Sequence, residues 1–199
     1  MRVAVFGGTF DPIHVGHLII AEQARELLSV EQVIFVTASQ PPHKRPAECP
    51  PEQRLRMVEL ATQGNPYFQV SQVETNRKGP SYTIDTLRQI LSDRSGEIDE
   101  MILLIGGDSL REFDMWKDWR EIIQLSSLAV VPRPGVDLAG PPDALARSRI
   151  LEDIVLTDIS STAIRRRIRK GQSIRYLVHD AVSLYIEQEG LYLREEEKP

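Results

Sequence analysis

Val3-Ala4-Val5-Phe6-Gly7-Gly8-Thr9-Phe10-Asp11-Pro12-Ile13-His14-Val15-Gly16-His17-Leu18 reads as a strand, a turn and a helix start in one continuous run. Four apolar residues, β-branched at positions 3 and 5, predict a short buried strand. Gly7-Gly8 ends it and lets the backbone approach a ligand with no Cβ in the way. Asp11-Pro12 marks a turn. From His14 the apolar spacing becomes helical, with Val15, Leu18, Ile19, Leu27 and Leu28 on the inner side. A strand, a glycine turn and a helix start together make an anion cradle, because unpaired N–H groups and the helix dipole converge on one spot. His14 and His17, three apart on the first helical turn, share a face and can both reach that spot. The glycine spacing is that of neither a dinucleotide fingerprint nor a Walker loop. Two histidines do not make a zinc site, and the chain has only four His, one Cys and no His-Glu-x-x-His pattern, so no resident metal is expected.

Outward from this run, the 199 residues suit one domain, or one with a small appendage. The expected extent is residues 1–192, with a helical C-terminal portion from about 160 to 192 and an acidic tail over 193–199. Lone Cys49 excludes an intramolecular disulfide and fits a reducing compartment. No apolar run approaches the ~20 residues of a membrane span, and the chain opens directly on a strand, so a cytoplasmic location is expected. A net charge of -5 argues against a general nucleic-acid binder but not against a small anionic substrate. The basic residues are clustered, at His43-Lys44-Arg45 and at Arg165-Arg166-Arg167 with Arg169-Lys170.

Residues 32–37 read as a second buried strand, and strand–helix–strand spacing implies a right-handed crossover in a parallel sheet. The expected class is α/β, a Rossmann-like doubly wound parallel sheet with flanking helices. Residues 39–51 carry five prolines and Lys44, a cationic loop at the carboxyl end of a strand, where open α/β sheets keep ligands. A helix over 51–61 should bury Leu55, Val58 and Ala61, and residues 68–75 alternate like one or two strands. Ser81 suits the cap of a helix running to about Leu91. Residues 101–105 form the next strand, ending in Gly106-Gly107-Asp108. Asp108 could cap a short helix from Ser109 or accept from ribose hydroxyls. Trp116 suits stacking on a flat ring and Trp119 packing. Residues 127–131 form a strand, 144–149 a short helix and 154–156 a last strand. Ser160 is a natural N-cap and Gly171 a natural stop for a helix bearing Arg165, and residues 182–189 form a final helix ended by Gly190.

Gly8-Thr9-Phe10-Asp11-Pro12-Ile13-His14-Val15-Gly16-His17 resembles the signature of the nucleotidyltransferase superfamily that carries a His-x-Gly-His motif. Within it, the chain from the first strand to about Tyr192 is most similar to the bacterial nicotinate-nucleotide adenylyltransferases. Further matches are Pro41-Pro42-His43-Lys44, Ser81-Tyr82-Thr83, the Gly-x-Asp of Gly106 and Asp108, Trp116, and Ile159-Ser160-Ser161-Thr162-Ala163-Ile164-Arg165. The resemblance implies transfer of the adenylyl group of ATP to nicotinate mononucleotide in NAD biosynthesis, with Mg2+ accompanying ATP and small molecules as partners. It implies catalytic roles for His14, His17, Lys44 and Arg165. It places Gly7, Gly8, Thr9, Phe10 and Gly16 with the histidines around ATP. Ile159, Ser160, Ser161, Thr162 and Arg165 would hold the triphosphate, and Gly106 and Asp108 the nucleotide side. It implies a mononucleotide pocket of Lys44, Ser81, Tyr82, Thr83, Asp108, Trp116 and Lys117, with the backbone N–H of Thr83 on the ring carboxylate. Some relatives carry tyrosine where this chain has Lys117. Phosphopantetheine adenylyltransferase shares the front motif but lacks the Pro-Pro-His-Lys loop and the Ser-Tyr-Thr and tryptophan pocket. A class I aminoacyl-tRNA synthetase would need a further domain, and a regulator without catalysis would not need the His, Lys and Arg set. Nicotinate against nicotinamide preference and oligomeric state stay open at this level.

Overall fold

The computed structural model describes residues 1–41, 46–132 and 138–193. Its centre is a six-stranded parallel sheet: β1 (Arg2–Gly8), β2 (Gln32–Thr37), β3 (Phe68–Ser71), β4 (Glu100–Gly106), β5 (Ser127–Val131) and β6 (Ser148–Ile150), in the order β3-β2-β1-β4-β5-β6. The order reverses between β1 and β4, which pair with Val3 opposite Met101 and Phe6 opposite Leu104. At such a reversal, connections leave the two strand ends in opposite directions and a crevice opens at the carboxyl end. Gly7-Gly8 and Gly106-Gly107 both stand there.

Strand alternation divides the core between two faces. Ala4, Val33, Phe35, Ile102 and Leu104 face one side, where α1 (Val15–Leu28), α2 (Pro51–Thr62), α7 (Ser161–Ile168) and α8 (Asp180–Gln188) pack through Ala21, Ala24, Met57, Val58, Ile164 and Val182. Val3, Val5, Ile34, Val36, Leu103 and Ile105 face the other, covered by α3 (Thr83–Asp93), α4 (Gly107–Arg111), α5 (Trp119–Leu125) and α6 (Pro142–Ala146). Near-continuous apolar strands are what a sheet covered on both sides requires.

Several boundaries differ from the sequence expectation. The last strand is Ser148–Ile150, not 154–156, and the helix before it is Pro142–Ala146. An edge strand of three residues, two of them polar, pairs on one side only and carries almost no hydrophobic signal. Phe68–Ser71 is the only strand in the 68–75 stretch. The buried face of α2 is Arg54, Met57, Val58 and Ala61, with Leu55 only partly covered. In α1 the fully buried positions are the small ones, Gly16, Ala21 and Ala24, together with Leu28, so this helix lies close against its neighbours.

Candidate functional site

The turn after β1 is folded around small side chains and one aromatic ring. Phe10 has φ 48, and its ring lies back over the strand end, so that a Cβ on Gly8 would sit 2.7 Å from it. The ring meets His17 edge-on at 5.0 Å between centroids. A cis Asp11–Pro12 bond leads to His14, the extended residue that caps α1. The His14 backbone N–H donates to His17 Nδ1 at 3.2 Å, and the two rings stack at 3.7 Å. A nitrogen that accepts carries no proton, so the neutral His17 ring holds its hydrogen on Nε2. Burial pushes the His14 imidazole down from 6.5 to about 4, and its Nδ1 has no hydrogen-bond partner among the described residues. The His14 ring therefore serves as a hydrogen-bonding group at neutral pH rather than as a fixed cation. Gly16 follows from crowding: a Cβ there would stand 2.7 Å from Thr157 Oγ1 and 3.1 Å from His14 Nδ1.

The start of α7 closes on the same turn. Ser161 Oγ donates to the Pro12 carbonyl at 2.8 Å, bringing together residues 149 apart in sequence. Ser160 caps the helix by accepting from the Ala163 N–H at 3.2 Å, as expected. Arg165 donates through Nη1 to the Asp11 carbonyl and through Nε to Glu48, each at 2.8 Å. Arg169 also pairs with Glu48. Two helix N-termini thus converge over residues 11–14, with Arg165 beside them.

Next to this cluster, at the carboxyl ends of β1 and β4, lies a cleft with Gly7, Gly8 and Thr9 at one end. Val5, Val36, Leu103 and Ile105 line it, and Ser81, Tyr82, Thr83, Trp116 and Lys117 stand around it. Its composition, apolar walls with a few polar groups, is that of a small-molecule site. The histidines do not line this cleft; they abut it through Phe10, which touches both Gly8 and His17. Lys117 Nζ reaches Asp85 at 3.0 Å and lies 4.7 Å from the centre of the Tyr82 ring, so its side chain borders the mouth. Trp116 is half-buried and leans on Phe113 at 5.1 Å, while Trp119 meets the same ring edge-on, in a packing role.

Two caps differ from expectation. Ser81 does not cap α3, whose capping residue is Tyr82; its hydroxyl accepts instead from the N–H groups of Ser39 (3.0 Å) and Gln40 (3.1 Å). Asp108 does not precede α4 but lies exposed within its first turn, after Gly106 as the capping residue. Asp108 is absent from the lining of the cleft, whereas Ser109 and Glu112 from the same segment border it. Lys44, with His43, lies outside the described residues.

The cytidylyltransferase-like family model matches residues 5–167. A Thermus thermophilus protein named "Probable nicotinate-nucleotide adenylyltransferase" is 44% identical over 192 residues, covering 96% of this chain and 100% of that one. A protein of the same name from Geobacter metallireducens is 43% identical and covers 96% and 98%. This chain belongs to the nicotinate-nucleotide adenylyltransferase family. Its fold matches that of Plasmodium falciparum nicotinic acid mononucleotide adenylyltransferase, solved in complex with NaAD, at a TM-score of 0.76 over 96% of this chain and 97% of that one, with 16% identity.

In this member of the nicotinate-nucleotide adenylyltransferase family, the structure also gathers residues that sequence reading passed over. By sequence Asp11 reads as a turn residue, yet it is buried and accepts from the N–H groups of Glu48 (2.7 Å) and Cys49 (3.3 Å) and from the Tyr192 hydroxyl (2.9 Å). Glu74 borders the cleft, buried, and accepts from Thr86 Oγ1 at 2.7 Å. Arg54, a charge on the apolar stripe of α2, is 1% exposed. That misplacement in the hydrophobic pattern was the one signal available for it.

Proposed function

We propose that the chain transfers the adenylyl group of ATP to nicotinate mononucleotide, releasing pyrophosphate and forming deamido-NAD in NAD biosynthesis. The observation that carries the proposal is the meeting of the α1 and α7 starts, Ser161 Oγ on the Pro12 carbonyl, at the end of an apolar cleft. A phosphate oxygen of the mononucleotide attacks the α-phosphorus in line. A new P–O bond forms as the bond to the β-phosphate breaks, and the electron pair leaves with pyrophosphate. Such a reaction needs position and charge stabilisation rather than a protein nucleophile.

The roles follow from the local chemistry. His17 and the neutral, desolvated ring of His14 stand together at the start of α1, each suited to a phosphate oxygen whose charge grows in the transition state. Arg165 keeps two of its nitrogens on Asp11 and Glu48 and offers Nη2 to the triphosphate. The N–H groups at Ser161 and Thr162 add the end of a helix dipole, with Ile159 and Ser160 shaping the entry. Lys44 is assigned to the anionic reactants. Gly7, Gly8, Thr9, Phe10 and Gly16 shape the ATP side, and Gly106 and Asp108 the ribose side. Trp116 stacks on the pyridine ring, and the Thr83 N–H, at the start of α3, takes the ring carboxylate, with Ser81, Tyr82 and Lys117 around it. Backbone donors satisfy a carboxylate, whereas an amide must turn its own donor toward one of them, and this favours nicotinate.

Among the described residues no group of three or more His, Cys, Asp or Glu side chains could hold a metal. Mg2+ is assigned to ATP as part of the substrate, held chiefly by its phosphates. No described helix is long and apolar enough to cross a membrane. A single nucleotidyltransferase unit over residues 1–192, acting in the cytoplasm on small molecules without nucleic acid, completes the proposal, with self-association as a further possibility to be measured.

The test is to give the purified protein ATP and Mg2+ with nicotinate mononucleotide, nicotinamide mononucleotide or phosphopantetheine. Dinucleotide and pyrophosphate should form fastest with nicotinate mononucleotide. Turnover only with phosphopantetheine, or none with any acceptor, would overturn the assignment.

A further inference from the structure

Arg54 is a guanidinium enclosed by protein, with the Asp11 carboxylate near enough to favour its charge but not touching it. It is 1% exposed and forms no ion pair among the described residues. Its hydrogens go to backbone carbonyls: Nε to Cys49 at 2.9 Å, Nη1 to Thr9 and to Ala38 at 2.7 Å each, and Nη2 to Ser39 at 3.2 Å. Burying a guanidinium that no carboxylate touches directly is costly, and a helix position of this kind would normally take leucine or methionine. Its neighbours on the same stripe, Met57, Val58 and Ala61, show what the core itself asks for. The cation is therefore retained for what it holds.

The four carbonyls belong to three separate pieces of chain. Thr9 lies in the turn after β1, Ala38 and Ser39 in the turn after β2, and Cys49 just ahead of α2. The link continues beyond them. The peptide whose carbonyl is Ala38 carries the Ser39 N–H, and the one whose carbonyl is Ser39 carries the Gln40 N–H. Both N–H groups donate to Ser81 Oγ, and the Ser81 N–H returns a bond to the Gln40 carbonyl at 2.9 Å. A peptide whose oxygen accepts from a cation is a stronger donor at its nitrogen, so these bonds reinforce one another. Ser81 in turn immediately precedes Tyr82 and Thr83 at the start of α3. One run of hydrogen bonds thus joins the β1 turn, at the phosphate end, to the rim of the pyridine end.

We infer that Arg54 is a positioning residue for the transfer reaction, fixing the distance between the two half-sites through the Thr9, Ala38 and Ser39 carbonyls and Ser81. The inference rests on the adenylyl-transfer reading. Each substrate contacts one half-site, so binding of either alone depends little on their separation. The in-line approach of one phosphate to the other depends on it directly, and a misplacement of about 1 Å is worth on the order of a hundredfold in rate. Lysine keeps the charge but cannot match the planar fork that reaches all four carbonyls.

The experiment compares wild type with Arg54→Lys and Ser81→Ala. Wild-type turnover of ATP with nicotinate mononucleotide is measured first, and its absence defeats the reaction reading alone. Amide hydrogen exchange on the free proteins tests the tie independently of turnover. In Arg54→Lys, exchange should rise together at residues 8–12, 38–41 and 81–84; a rise confined to α2 overturns the inference. In the active enzyme, kcat of Arg54→Lys should fall between about tenfold and a hundredfold with each KM within about threefold. An unchanged kcat per folded molecule, with only a lowered Tm, assigns Arg54 to the core and overturns it. Should Arg54→Lys fail to fold, Ser81→Ala must still lower kcat more than it raises either KM, and the opposite split overturns the inference.

Discussion

Replacing His14 by glutamine should remove most of one acid-sensitive increment of stability. The unfolded chain takes up a proton on this ring near 6.5, whereas burial in the folded chain holds it off until about 4. Between those values the unfolded state binds more protons, so stability rises with pH. The contribution is fully present above about pH 6.5, declines as the pH falls, and is exhausted below about pH 4. At 1.36 kcal/mol per tenfold in proton affinity, the whole effect is about 3 kcal/mol, of which about 2 kcal/mol is lost by pH 5. The measurement is urea unfolding of wild type and His14→Gln at pH 7.5 and pH 5.0. Other titrating groups cancel between the two proteins. Wild type should lose about 2 kcal/mol more than the variant over that interval. Equal losses would falsify the claim that His14 is held neutral by desolvation, and with it the view that this histidine meets phosphate as a neutral ring.

Gly16→Ala places a methyl group against Thr157 Oγ1 and the His14 ring, so it should cost about 1–3 kcal/mol in denaturant unfolding, and Thr157→Ala in the same chain should recover part of that loss. Tyr192→Phe removes one donor from buried Asp11 and should lower stability by about 1–3 kcal/mol, read by the same method. Arg165→Gln should raise KM for ATP by about tenfold to a hundredfold while leaving KM for the mononucleotide nearly unchanged, as measured by pyrophosphate release.

The sheet was legible because its strands are buried on both faces and announce themselves as apolar runs, each separated by crossover spacing. β6 was not, since Ser148-Arg149-Ile150 is an edge with little to bury. α5 was passed over because Asp114 to Arg120 is polar and the segment enters helix from Asp118 in the left-handed region, which no local pattern announces. The strand end, glycine turn and helix start around Gly8, His14 and His17 were legible, but not the polar support beneath them. Asp11, Glu48, Arg54 and Tyr192 come from four separate parts of the chain, and their partnership depends on long-range packing that spacing cannot encode. Ser81 shows the same limit: as a local feature it is a cap, and only the neighbouring turn after β2 makes it a tether.

That support also accounts for how a chain of net charge -5 can offer a site to a triphosphate. Around the turn, Asp11 and Glu48 are set against Arg54, Arg165 and Arg169, so the local balance is slightly positive whatever the total. The positive groups are not equivalent. Arg54 has its charge enclosed and bonded to carbonyls, where it can polarise the turn but never touch a ligand. Arg165 is held by Nε and Nη1 on the protein and retains one nitrogen outside that grip. Asp11 makes the distinction possible: its side chain draws the Glu48 and Cys49 segment and Tyr192 inward, and its carbonyl receives Arg165. The proposed anion site thus depends as much on the buried turn at Asp11, whose carbonyl with Glu48 orients Arg165, as on the histidines that mark it in the sequence.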